Sequence, residues 1–167
     1  MPNWCNNSLT ITHKDADKLE NLMSRMRDDE DGGFFNHIKP MPEKIRNTTS
    51  PDDSPNWYDW SCDNWGTKWD AACIDQYQYT ENTVGFSFDT AWSPPIPIYE
   101  ELTKQGFEVQ AYYVEFGMMY AGSWYSDENG KISGEHTDDI DKYVPPDVED
   151  ELCIKDMIAE WREEETA

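Results

Sequence analysis

In 167 residues this chain sets 35 Asp and Glu against 13 Lys and Arg, a formal charge of −22 with a pI near 4.2. A surface that negative repels nucleic-acid backbones and anionic membranes and attracts basic proteins, so direct nucleic-acid binding is not expected and a protein partner is. The length suits one domain with its own core, and aromatic residues at 14% argue against wholesale disorder.

The first expected strand is Ser8 to Thr12, where Leu9 and Ile11 alternate with polar residues. Asp15 or Asp17 is placed to cap a helix from Ala16 to about Arg27, in which Leu19, Leu22, Met23 and Met26 share one face. Gly32-Gly33 should end it. Phe34 to Pro55 carries four prolines and little periodicity and reads as a long loop or insertion. Trp57 to Asp70 then packs Trp57, Trp60, Trp65 and Trp69 into a short span, a density that needs burial or a ligand.

Strands are expected over Cys73 to Thr80 and Thr83 to Thr90, stopped by Trp92-Ser93-Pro94-Pro95. A helix running to Gln105, with Pro97 near its first turn and Gly106 as its C-terminal cap, leads to a strand from Phe107 to Phe116. Tyr120 to Ser126 and Lys131 to Glu135 flank the turn signal Asn129-Gly130 and predict a further hairpin. After Pro145-Pro146, Asp147 to about Glu164 reads as one acidic helix with Ile154, Met157, Ile158 and Trp161 on a single face.

The order strand, helix, strand, strand, helix, strand predicts an α+β chain with a ferredoxin-like antiparallel sheet and two helices on one face. A hairpin and a C-terminal acidic helix extend it. Residues 1–136 form the expected domain, with a loop or insertion at about 34–70, and 137–167 an acidic extension. Cys5, Cys62, Cys73 and Cys153 are scattered without a C-x-x-C pair, which predicts free thiols in a reducing compartment. With no basic region and apolar run at the N-terminus and no stretch of about 18 apolar residues, a cytoplasmic, non-membrane protein is expected.

Four segments carry a family resemblance: Pro2-Asn3-Trp4-Cys5-Asn6-Asn7, Trp65-Gly66-Thr67-Lys68-Trp69-Asp70, the run Phe88 to Pro95, and Glu115-Phe116-Gly117-Met118 with Ala121-Gly122. Together they resemble the YubB-like ferredoxin-like domain proteins borne by phages and plasmids, over roughly residues 2 to 136. The resemblance implies a ferredoxin-like core, a mobile-element origin and a bacterial host cytoplasm. It implies no active site.

No recognisable chemistry is spelled out locally. His13, His37 and His136 stand far apart, and Asp138-Asp139 with Asp141 lacks the Gly and closing Glu of a calcium loop, so no metal and no cofactor are expected. Neither a nucleophile elbow nor a phosphate-binding glycine loop is present, and an enzyme is not expected. Trp65, Lys68, Trp69, Asp70, Asp89 and Trp92 form a candidate pocket. The plainer reading makes the indoles a lid over the sheet, with Lys68 paired to Asp70 or Asp89. Tyr77, Tyr79, Tyr112 and Tyr113 offer a base-stacking platform of the RRM kind, although residues 47–126 hold twelve acids and only two bases to grip phosphates.

The acids are concentrated towards the C-terminus: residues 1–46 hold eight acids and seven bases, residues 127–167 fifteen and four. Solubility explains such a surface without any function. The functional expectation is an anionic decoy whose carboxylates occupy the basic groove of a host DNA-handling protein, a defence nuclease of restriction or CRISPR type. Asp138, Asp139, Asp141, Glu149, Asp150, Glu151, Asp156, Glu160 and Glu163 are the expected contact residues. A nucleic-acid-binding or small-ligand module is the alternative, and a small enzyme centred on Lys68 and Asp89 a distant one.

Overall fold

The computed structural model describes residues 3–28, 33–50 and 52–167. Strand β1 (Trp4–Thr12) begins earlier than the alternation at Ser8 suggested, because Cys5 and Asn7 are buried on the same inward face as Leu9 and Ile11. Asp15 opens helix α1 (Ala16–Asp28) by accepting the Asp17 N–H at 3.0 Å. Of the expected Gly32-Gly33 stop, Gly32 lies outside the described residues and Gly33 has φ 75°.

The stretch read as a loop instead holds two single-turn helices, α2 (Phe35–Ile38) and α3 (Glu43–Arg46). Its apolar residues are too few to show a period, yet Phe34, Phe35, Ile38 and Met41 are all buried in the main core. The tryptophan-rich run forms α4 (Trp57–Trp65), capped by the Asn56 side chain on the Asp59 N–H at 2.9 Å and ended by Gly66 at φ 76°.

Strands β2 (Ala72–Tyr79) and β3 (Thr83–Ala91) precede α5 (Ile96–Lys104). Gly106 at φ 93° closes α5, with Gly106 N–H on the Thr103 carbonyl and Phe107 N–H on the Leu102 carbonyl, both at 3.0 Å. Strands β4 (Glu108–Glu115), β5 (Tyr120–Ser126), β6 (Ile132–Ser133) and β7 (His136–Thr137) complete an antiparallel sheet in the order β2-β3-β1-β4-β5-β6, with β7 also paired to β5. The β2-β3-β1-β4 portion is the split βαβ order.

Leu19 and Leu22 of α1 and Ile98, Tyr99 and Leu102 of α5 cover one face of this sheet, over Leu9, Ile11, Phe86, Val109 and Ala111. Phe35 of α2 and Trp65 of α4 join the same core. The opposite face of β4 and β5 is covered by the chain's end. Tyr112, Val114, Phe116 and Ala121 pack there with Ile140, Val148, Ile154 and Ile158.

The terminal helix is two helices, α6 (Pro146–Leu152) and α7 (Ile154–Thr166), separated by Cys153 in the left-handed region at φ 51°, ψ 48°. In one straight helix Val148 would point about 120° away from Ile154, six residues at about 100° each. The break lets both reach the sheet, and both are fully buried. Glu149 then caps α7, its carboxylate accepting the Lys155 N–H at 3.2 and 3.3 Å.

The 34–70 insertion is held by Asp70, whose carboxylate accepts the N–H groups of Phe34 at 3.0 Å, Phe35 at 2.7 Å, Asn36 at 3.1 Å and Ala71 at 2.7 Å. Phe34 offers α2 no side-chain cap, so Asp70 supplies it from 35 residues along the chain. Burial pushes the Asp70 carboxyl above its ordinary 3.8, against the pull of the four N–H donors.

Three outcomes follow from this packing. Ile154→Ala should lower unfolding free energy by about 3 kcal/mol in urea titration, the cost of an empty aliphatic site. Asp70→Ala should cost about 3 kcal/mol by orphaning four N–H groups. Because the folded chain keeps the Asp70 proton to higher pH than the unfolded chain, wild-type stability carries a component that falls as pH rises through the window above 3.8. Subtracting the urea-derived profile of the Asp70→Ala variant should reveal that component.

Candidate functional site

Trp65, Lys68, Trp69 and Asp70 line a cavity of about 380 Å³, together with Gly33, Asn36, Met41, Arg46, Thr48 and Trp57. The insertion builds it. The Trp65 indole N–H donates to the Lys39 carbonyl at 2.9 Å and the ring meets Trp60 edge-on at 5.4 Å, fixing the back wall. Ser61 Oγ donates to the Lys68 carbonyl at 2.8 Å, holding the chain that presents Lys68 and Trp69.

Neither carboxylate expected to pair with Lys68 does so. Its ammonium lies 4.5 Å from the centre of the Trp69 ring and 5.8 Å from that of Tyr58, an aromatic seat for a cation. Asp70 faces backbone donors instead. Asp89, on the other face of the sheet, accepts the Asn6 side-chain amide at 2.7 Å, and neither it nor Trp92 lines the cavity. Trp92 is half exposed at φ 71°, its N–H on the Asn3 carbonyl and its own carbonyl accepting the Tyr120 hydroxyl.

Sequence reading missed Arg46, Thr48, Asn36 and Met41, because the stretch that carries them shows no period. The one available signal was the basic stretch Lys39, Lys44 and Arg46 ahead of the acid-rich middle of the chain.

The acidic candidates divide by surroundings. Asp139 pairs with Lys142 at 3.2 Å, Asp141 takes the Arg162 guanidinium at 2.7 and 2.9 Å, and Asp138 meets His136 at 2.9 Å. Glu149 caps α7, and Glu151 accepts the Ser8 hydroxyl at 3.2 Å. Asp150, Asp156, Glu160 and Glu163 are exposed, and none has a cation within 4.0 Å among the described residues.

The four tyrosines of the supposed stacking platform fall on two faces. Tyr79 and Tyr113 stand on the face of α1 and α5, where Tyr79 donates to Glu20. Tyr77 and Tyr112 stand on the other, Tyr77 lying over Gly85 to reach Ser8 and Thr10. Period-2 geometry alone separates Tyr112 from Tyr113, so no single platform exists.

All four segments of the family resemblance meet at one end of the sheet. Asn7 donates to the Cys5 carbonyl and to Thr90 Oγ1, both at 2.9 Å, Thr67 Oγ1 to the Ala91 carbonyl at 3.0 Å, and Glu115 accepts the Gly117 and Met118 N–H groups at 2.6 and 2.8 Å. Burial pushes the Cys5 thiol up to about 12, so it stays protonated and is no nucleophile at neutral pH. Burial likewise holds the Tyr113 hydroxyl at about 12, and its 2.8 Å bond to His136 Nδ1 ties β4 to β7.

Among the described residues no group of three or more His, Cys, Asp or Glu side chains is set to hold a metal, and no helix is long and apolar enough to cross a membrane. The four cysteines are unpaired.

The fold has a solved counterpart. The crystal structure of protein api92 from Yersinia pseudotuberculosis superposes on 87% of this chain and 100% of its own with a TM-score of 0.54, at 10% sequence identity. That likeness is one of fold alone. No curated protein matches this chain. A family model described as the ferredoxin-like domain in Api92-like protein matches residues 64–166, from the end of α4 to the end of α7. Well over half of the chain lies within that match, and the protein belongs to the family of ferredoxin-like domains in Api92-like proteins.

Proposed function

We propose that this chain is an acidic binding protein that inhibits a basic host nucleic-acid-processing protein, a defence nuclease of the restriction or CRISPR kind, by placing carboxylates where that protein binds phosphates. The observation that carries this reading is the division of the acids. Those of the 138–141 segment have cationic or imidazole partners within the chain, whereas Asp156, Glu160 and Glu163, exposed on α7, have no cation within 4.0 Å among the described residues. Like charges at spacings of four and three weaken a helix, and burial of Ile154 and Ile158 offsets that cost.

Resemblance to YubB-like phage and plasmid proteins supplies the setting. A mobile element in a bacterial cytoplasm gains from blocking host nucleases. No bound metal, no cofactor and no catalysis belong to this reading, and DNA is a competitor for the partner, not a ligand.

Immobilised protein exposed to bacterial lysate and washed at rising salt should retain a basic nucleic-acid-binding protein that added DNA displaces. With that partner in hand, Asp156→Gln, Glu160→Gln and Glu163→Gln combined should slow association about tenfold and flatten its salt dependence. Asp138→Asn, Asp139→Asn and Asp141→Asn combined remove the same formal charge from partnered positions and should slow it by much less. Equal effects of the two triple variants would reduce the acids to bulk charge and remove the case for a decoy face.

A further inference from the structure

The cavity in the 34–70 insertion is chemically one-sided. Arg46 and Lys68 both line it, and neither has a carboxylate within 4.0 Å among the described residues, although the chain has 35 acids to offer. Lys68 is seated over the Trp69 ring, and the exposed Arg46 is free to turn its guanidinium to a ligand.

The acceptors that line the same space are already engaged. Asp70 holds four backbone N–H groups, Asn36 Oδ1 accepts the Met41 N–H at 2.8 Å, and Thr48 Oγ1 accepts the Trp57 N–H at 3.0 Å while donating to the Ile45 carbonyl. What is left over is donors: the Arg46 guanidinium, the Lys68 ammonium and the Asn36 side-chain NH₂, which bonds to no atom of the described residues. A site with free donors and occupied acceptors selects an anion.

Its walls add a second requirement. Trp57, Trp65 and Trp69 contribute indole surface, and about 380 Å³ lies within the range of small-molecule sites. Inorganic phosphate alone would leave those walls unmatched, and an uncharged ring would leave both cations unmatched.

We propose that this cavity binds a small organic anion with a planar aromatic body, its ring against the indoles of Trp57 and Trp69 and its carboxylate or phosphate held by Lys68 and Arg46. The site is independent of the acidic face of α7. Lys68 already stacked on Trp69 is pre-positioned, and a ring entering beside it extends the same cation and aromatic array.

Calorimetric titration of the full chain tests this with two aromatic anions, adenosine 5′-monophosphate and indole-3-acetate, beside adenosine and inorganic phosphate. At least one of the two anions should bind with a Kd below about 1 mM, and adenosine and phosphate at least about tenfold more weakly. Preference between the two anions separates a phosphate source from a carboxylate source. Arg46→Met, at an exposed position, and Lys68→Met should each weaken binding about tenfold without moving the urea midpoint, and Lys104→Met on α5 should change nothing. Failure of both aromatic anions at about 1 mM, adenosine binding as well as its monophosphate, or undiminished affinity in Arg46→Met and Lys68→Met would each overturn the proposal.

Discussion

Strands β4 and β5 are apolar on both faces, and much of the molecule follows from that constraint. Val109 and Ala111 point towards α1 and α5, while Tyr112, Val114 and Phe116 point the other way, and the split βαβ unit has no element to cover them. The C-terminal segment must do so, although it carries fifteen acids. Only a strongly amphipathic helix satisfies both demands, with Ile154 and Ile158 turned inward and the carboxylates outward. Acidity and sheet-covering are thus one design. The acidic extension is an integral layer of the fold, and Glu151 confirms the docking by reaching Ser8 on β1.

The break at Cys153 belongs to the same constraint. A left-handed residue other than glycine costs about 1 kcal/mol, and burying Val148 and Ile154 together returns more than that at about 1.5 kcal/mol or more for each side chain. Because the two helices meet at an angle, α7 presents Asp156, Glu160 and Glu163 away from the sheet. Geometry that seals the second core also sets the direction of the charge.

Legibility in the sequence followed periodicity. The alternation of Val84, Phe86 and Phe88 and the three-four spacing of Leu19, Leu22 and Met23 located β3 and α1 to within a residue or two. Gly106 announced the end of α5 because a positive φ is nearly required there. The insertion was opaque for the opposite reason. Single-turn helices such as Phe35–Ile38 are too short to display a period, and the cap that defines this one comes from Asp70, far along the chain. Trp65, Lys68, Trp69 and Asp70 could be grouped because they are neighbours in sequence. Arg46 and Thr48 could not, since only the fold brings them to the same cavity.

Four of the 13 bases have a carboxylate within 4.0 Å among the described residues, although the chain has 35 acids. Lys142 and Arg162 sit against Asp139 and Asp141, quieting the turn before α6 and joining it to α7. Lys14 and Arg27 pair with Glu128 and Glu20. Lys18, Arg25, Lys39, Lys44, Lys104, Lys131 and Lys155 have no such partner among the described residues, and neither do Arg46 and Lys68, which differ in lining one cavity whose acid, Asp70, is turned to the backbone. Arg46 and Lys68 meeting beside three indoles, in the segment with the least regular structure, put the recognition chemistry of the proposed small-molecule site in the insertion and leave the sheet as its support.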